Sequence, residues 1–358
     1  MPRWSRDELE SAFQTLTETL DHSLLEGSFE HWVTRFTEDV IYRDLGHGFE
    51  NGFEVECRGR ENVRRSVEAY FSIDPHRALC LAPVSWSMID EERGWVVCGR
   101  SLRMRDPGTG EVFEEKSYSR LGYAGDGLWS FAEDVYNPVR LHTMQSIWLY
   151  VRRRCQAEGI DLPEVGPEQA RQAHAEVWEE AGDSRWSRDE IAGAVENFEA
   201  VGNRAFTGSD HEEWLQCYTD DVTHRELGFG YGWEQELHGR DAVRGWIDAH
   251  CDIYPINHMT YFPIPWFVID ERRGQVLLEY RNCMSDPGDG RSYEESSYAR
   301  LLYAGNGQWR LEEDLYSPLR MRAMLDRWRD ARERLEGGSH APSGGAVSYT
   351  HLRAHETF

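Results

Sequence analysis

The sequence predicts an α+β fold made twice: two tandem cone-shaped domains, each a curved antiparallel sheet wrapped around N-terminal helices. Two observations carry this expectation. The phrase YAGDGLWSFAEDVYNP, Tyr123 to Pro138, returns as YAGNGQWRLEEDLYSP, Tyr303 to Pro318, with nine of sixteen positions identical at an offset of 180 residues. Within each copy, helical periodicity comes first and strand periodicity follows, the order of an α+β unit.

Each element of the repeat can be justified in turn. Ser5 with Glu8, and Ser187 with Glu190, spell the S-x-x-E pattern that starts a helix. Leu9, Phe13, Leu16 and Leu20 then share one helical face, and Ile191, Val195 and Phe198 repeat it. A short second helix carries Trp32 or Trp214. The strand DVIYRDL or DVTHREL comes next, then a Gly- and aromatic-rich loop and a third helix with Val63, Val67, Tyr70 and Phe71 on one side. Four strand-like segments follow, from Pro83 to Asp90, Trp95 to Arg105, Glu111 to Tyr123 and after AGDG. Gly and Asp at their turns suit the positive φ of tight hairpins. A helix closes each copy after Pro138 or Pro318.

A period near 180 is far too long for a solenoid, so the chain is a domain duplication. The expected bounds are 1–157 for the first copy and 158–185 for a linker with a connecting helix. The second copy takes 186–336, and 337–358 form a tail without a fold. Within that tail, residues 347–357 (VSYTHLRAHET) resemble a translated sequencing-adapter frame and are set aside.

Composition narrows the function classes. Hydrophobic residues make up 40% of 358, enough for two cores and too many for a disordered chain. A net charge of −25 argues against a phosphate-backbone binder, so no nucleic-acid partner is expected. Seven cysteines, none at matching positions in the two copies and none as C-x-x-C, favour a reducing compartment. With no apolar run long enough to cross a bilayer and no leader-like start, the expected localisation is cytoplasmic, without a membrane partner. No P-loop, dinucleotide fingerprint or nucleophile elbow is present, and the histidines lack metal-ligand spacing; neither a cofactor nor a metal is expected.

EGSFEHWVTRFTEDVIYRD, then GRENVR, then YAGDGLW…EDVYNP resemble the SnoaL-like group of the nuclear transport factor 2-like superfamily. The resemblance covers both copies. It implies a conical fold around an apolar pocket, and a chain that forms an intrachain pseudo-dimer able to pair further as a homo-oligomer. Members include ketosteroid isomerases, polyketide cyclases, scytalone dehydratase, limonene epoxide hydrolase and many proteins without catalysis. The implied function is a cofactor-independent lyase, isomerase or cyclase acting on a small ketone or polyketide- or steroid-like molecule. The alternative is a noncatalytic ligand-binding or assembly module. Either way the expected partner is a small apolar molecule.

Alternation places Tyr42 and Asp44 on one face of the first strand, and His224 and Glu226 on its counterpart. A carboxylate ending a half-apolar row inside a pocket suits a general base, with Tyr42 or His224 to orient it or stabilise an oxyanion. The same carboxylates could instead be paired with Arg60 or Arg240. On the last strand Trp129, Phe131, Glu133 and Val135 share a face, as do Trp309, Leu311, Glu313 and Leu315. Glu133 and Glu313 read either as acid–base groups or as buried ion pairs with Arg120 and Arg300. The opposite face offers Asp134, Tyr136, Asp314 and Tyr316 to a substrate, and alternation does not say which face turns inward. Set against ketosteroid isomerase, the oxyanion tyrosine and the protonated aspartate are replaced, by Leu20 and Gly202 and by Ser119 and Ala299. The second copy alone carries the polar pair Arg281 and Asn282, a SnoaL-like feature that marks it as the expected working copy and substrate-binding site.

Overall fold

The computed structural model describes residues 3–46, 56–177, 186–208, 211–228 and 235–336; the tail and residues 178–185 of the linker lie outside them. In the first unit, helices α1 (Arg6–Glu26) and α2 (Glu30–Val33) precede strand β1 (Phe36–Asp44), then come β2 (Glu56–Arg58) and helix α3 (Arg60–Phe71). Five strands follow: β3 (Leu79–Leu81), β4 (Val84–Asp90), β5 (Trp95–Met104), β6 (Glu114–Gly125) and β7 (Leu128–Tyr136). Helix α4 (Pro138–Ala157) closes the unit, and α5 (Pro167–Val177) belongs to the connection. The second unit repeats this with α6 (Arg188–Gly208), α7 (Glu212–Leu215), β8 (Tyr218–Glu226), β9 (Gln235–His238) and α8 (Arg240–His250). It continues with β10 (Met259–Tyr261), β11 (Trp266–Asp270), β12 (Gln275–Met284), β13 (Glu294–Gly305), β14 (Gln308–Leu315) and α9 (Pro318–Glu336).

Each unit is one seven-stranded sheet, β2-β1-β7-β6-β5-β3 with β4 also on β5, and its counterpart in the second unit. The expected antiparallel order holds except for one pair. β1 runs parallel to β7, and β8 to β14, so both sheets are mixed. The parallel pair joins the two strands that carry most of the polar inward residues.

Local chemistry sets these elements. Ser5 caps α1 by accepting from Glu8 N at 3.2 Å, and Ser187 does the same for Glu190 N. The Glu8 carboxylate does not reach back to close a capping box; it accepts from Tyr123 Oη at 2.9 Å, and that hydroxyl accepts from Gly127 N at 2.8 Å. The β6–β7 turn is thus tied to the start of α1. Asp126 and Gly127 both have positive φ, as do Asn306 and Gly307, the two-residue turn that D-G and N-G favour.

Each unit has its own core. In the first, Leu9, Phe13 and Leu16 of α1 pack on Val40, Val96 and Trp129. In the second, Ile191, Val195 and Phe198 pack on Val222, Val276 and Trp309. A third apolar cluster lies between the units and draws on both: Trp86, Met88, Val97 and Tyr118 meet Trp266, Val268, Leu277 and Tyr298. Polar contacts across this seam come in exchanged pairs. Tyr118 bonds Glu313 while Tyr298 bonds Glu133. Asn137 Nδ2 donates to Leu227 O at 3.0 Å and Gly228 O at 3.1 Å, while Ser317 Oγ donates to Gly46 O at 2.7 Å. Reciprocity of this kind is the signature of a two-fold interface, here within one chain.

Candidate functional site

Each cone encloses a cavity, and the two differ. The second unit's cavity is about 470 Å³, within the range of small-molecule sites, and the first unit's is about 160 Å³. Both are walled by aromatic and aliphatic side chains, and both receive polar groups from the parallel strand pair.

In the second unit, register sets His224 beside Glu312 and Glu226 beside Asp314. All four are buried, between 2% and 4% exposed. His224 Nε2 faces two acids at more than hydrogen-bond length, 3.7 Å from Glu312 Oε2 and 3.6 Å from Asp314 Oδ2. Tyr218 donates to Glu312, Tyr316 to Glu226 and Tyr280 to Asp314. Among the described residues, three side-chain atoms of this group have no hydrogen-bond partner: His224 Nδ1, Glu226 Oε2 and Asp314 Oδ1. Orphaned buried polar atoms are costly, and here they converge in a cavity with room for a guest.

Electrostatics follow from the burial. Desolvation first, and then the neighbouring charges, push the Glu226 and Asp314 carboxyls well above the usual range; Glu312 rises through burial. Three acids this close share protons rather than ionise together. Burial pushes the His224 imidazole down to about 4, so it is neutral at pH 7 and keeps a lone pair on one ring nitrogen.

The first unit satisfies itself. Tyr42 donates to Asp134, Ser119 Oγ donates to the same carboxylate at 2.5 Å, and Tyr136 Oη donates to Asp44 Oδ2 at 3.0 Å. Arg100, 6% exposed, lines this cavity and lowers the Asp134 carboxyl, which burial as the larger effect still holds above its ordinary value. Among the described residues, no side-chain atom of Tyr42, Asp44 or Asp134 is buried without a partner.

Asp44, Tyr42, Asp134 and Tyr136 therefore meet in one cavity, and Glu226, His224, Asp314, Tyr316 and Asn282 in the other. Asp44 and Glu226 are not paired with Arg60 and Arg240, whose nearest acids are Glu38 at 3.9 Å and Asp220 at 3.1 Å. Three expected positions are corrected. Glu133 and Glu313 point away from the cavities into the seam, where Arg120 Nη2 meets Glu133 at 2.8 Å and Arg300 Nε meets Glu313 at 3.2 Å. Arg281 turns to the outer face and pairs with Glu294 at 3.0 Å. The last strand also has a bulge: β6 steps from Gly122 to Tyr123 while β7 steps from Trp129 to Phe131. Ser130 is the extra residue, so Trp129 joins the inner core while Val135 joins the seam.

Sequence reasoning missed Glu312, Tyr280 and the pairing of His224 with two acids. The signal was there in the repeat. Glu312 stands where the first copy has Ala132, and Tyr280 where it has Arg100. Metal-ligand spacing within one helix missed a constellation spread over two parallel strands: His224, Glu226 and Asp314 bring ligand atoms within 4.8 Å of one another.

No known protein-family pattern matches the chain, and no curated sequence matches it. Solved structures do. Three such matches each cover little more than a third of this chain. One is a candidate polyketide cyclase from Xanthomonas campestris, 17% identical, matching 39% of this chain and 98% of that one with a TM-score of 0.29. Another is an NTF2-like protein of unknown function from Burkholderia pseudomallei, 18% identical over 38% of this chain and 97% of that one, TM-score 0.29. A candidate isomerase from Bacillus subtilis is 12% identical over 36% and 85%, TM-score 0.29.

Proposed function

We propose that the second unit moves a proton on a small, largely apolar carbonyl compound without an organic cofactor, as an isomerase, lyase or cyclase. The observation that carries this reading is Glu226, a buried carboxylate that lines a 470 Å³ cavity and whose Oε2 has no hydrogen-bond partner among the described residues. A general base must have an oxygen available to the substrate, and this one is held in place by Tyr316 on its other side. Glu226 takes the proton α to the carbonyl. Asp314, protonated and accepting from the Tyr280 hydroxyl, supplies the donor for the developing enolate oxygen. Phe198, Trp214 and Trp246 hold the apolar body. The first unit, whose Asp44 and Asp134 are bonded internally and whose cavity has a third of the volume, supports the second through the seam.

Deuterium exchange into a panel of cyclic ketones, followed by mass spectrometry, tests the assignment. Glu226→Gln is expected to lower the exchange rate by about 10²- to 10⁴-fold, the range of one general base. Asp44→Asn, in the first unit, is expected to leave it unchanged. Exchange that survives Glu226→Gln rejects this base.

A further inference from the structure

The two cavities can be compared position by position, because the strands that build them share a register. β5 places Arg100 opposite Ser117, and β12 places Tyr280 opposite Ser297. β7 places Ala132 opposite Leu121, and β14 places Glu312 opposite Leu301. The first cavity therefore holds two acids, Asp44 and Asp134, with one resident guanidinium. The second is lined by five acids, of which Glu226, Glu312 and Asp314 cluster on the parallel strand pair while Glu199 and Asp252 stand on the wall, and by a phenol where that guanidinium would be. Two substitutions between copies have added a negative group and removed the positive one. The arginine at the wall of the second cavity, Arg322, is 46% exposed and lies 3.8 Å from Asp326.

We propose that the second cavity is a cation site, in which His224, Glu226 and Asp314 hold a positively charged centre that takes the place of the first unit's Arg100. The independent support is His224, which is 2% exposed and presents an unpartnered Nδ1. A neutral imidazole keeps one acceptor nitrogen, so the ring serves as an acceptor or ligand and is not a competing cation. One imidazole nitrogen and two carboxylate oxygens within 4.8 Å of one another suit either of two sources of positive charge. One is a divalent transition-metal ion, for which nitrogen and oxygen donors of this kind are common. The other is a primary ammonium group on an organic ligand, whose three N–H donors match three acceptors and whose body the aromatic walls accommodate. Either guest occupies the Glu226 and Asp314 oxygens that the proton-transfer reading uses, so cation and ketone compete for the cavity.

Calorimetry on the full chain after chelator treatment separates the sources. Mn²⁺ alone probes the metal, benzylamine probes the ammonium, and benzyl alcohol is the neutral control. Two variants restore the first unit's residues, Tyr280→Arg and Glu312→Ala. At least one of the two cations is expected to bind at pH 8, and either variant to weaken it tenfold or more. Benzyl alcohol is expected to bind at least tenfold more weakly than benzylamine if the ammonium is the guest. If Tyr280→Arg does not fold, by its melting curve, Glu312→Ala carries the comparison. No binding of either cation, or binding that both folded variants retain, overturns the proposal. Ketone exchange measured on the same chelator-treated protein reads the catalytic assignment separately.

Discussion

Tyr118 of the first unit donates its hydroxyl to Glu313 of the second, and the symmetry-related Tyr298 donates to Glu133. Both tyrosines are at most 1% exposed, and both carboxylates also face an arginine of their own unit. The seam is therefore held by charge-assisted bonds inside an apolar cluster, where each is worth more than at the surface. Replacing both tyrosines by phenylalanine leaves the packing in place and removes two donors. Each loss is expected to cost about 1.5–3 kcal/mol, read as a lower denaturant midpoint with an unchanged slope. A double variant as stable as the parent would show that the seam is held by its apolar contacts alone.

Glu313 also gives the chain a measurable acid response. Burial on its own would raise this carboxyl, but Arg300, Lys116, the Tyr118 hydroxyl and Arg225 outweigh it and hold the group at about 2, below the usual 4.5. A folded-state value below the unfolded one contributes stability that is complete above about 4.5 and is lost as pH falls toward 2. Between pH 7 and pH 3 the loss from this group is on the order of 2 kcal/mol. Urea midpoints at the two pH values, compared with those of Glu313→Gln, isolate it: the parent is expected to lose more on acidification than the variant. Equal losses would contradict the assignment.

Much of this was legible in the chain. Identical residues at an offset that slips only from 182 to 180 marked the duplication, and period-two alternation put Tyr42 with Asp44 and His224 with Glu226 on shared faces. The facing of β7 and β14 was not legible, because Glu133 and Asp134 are equally polar neighbours and alternation is symmetric. The bulge at Ser130 then broke the row that joined Trp129 to Glu133. Arg281 looked like a cavity residue because it is absent from the first copy, yet it is Tyr280, one position earlier, that turns inward. A one-residue step on a strand reverses the side chain's destination.

The connecting helix α5 is docked by an exposed Arg103–Glu176 pair at 3.3 Å and by a more buried histidine contact. His174 Nε2 lies 2.5 Å from Asp21 Oδ2 on α1, and His174 Nδ1 accepts from Val84 N at 3.2 Å. Asp21 in turn accepts from Ala82 N at 3.0 Å, so one histidine bridges α1 and β4. His174→Ala is expected to leave Ala170 and Ala173 as the main apolar anchors of α5. Hydrogen exchange in residues 167–177 should then speed up tenfold or more, while strand amides of the second unit stay protected. Unchanged protection of α5 would assign its docking to the alanines.

Two glycines provide the sharpest test of unequal units. A Cβ on Gly228 would lie 2.4 Å from the Tyr316 ring, and a Cβ on Gly46 would lie 2.3 Å from the Tyr136 ring. Tyr136 and Tyr316 both meet their glycine at the ring itself, so neither clash is relieved by moving a flexible tip. Alanine at either position is therefore expected to cost about 1–3 kcal/mol. The consequences for chemistry differ. Tyr316 bonds Glu226, the proposed base, whereas Tyr136 bonds Asp44 in the supporting unit. Gly228→Ala should slow ketone exchange well below the melting temperature, and Gly46→Ala should not. If the two variants lose stability and activity in the same proportion, the working cavity is not confined to the second unit, because only a displaced Tyr316 changes where the Glu226 carboxylate points.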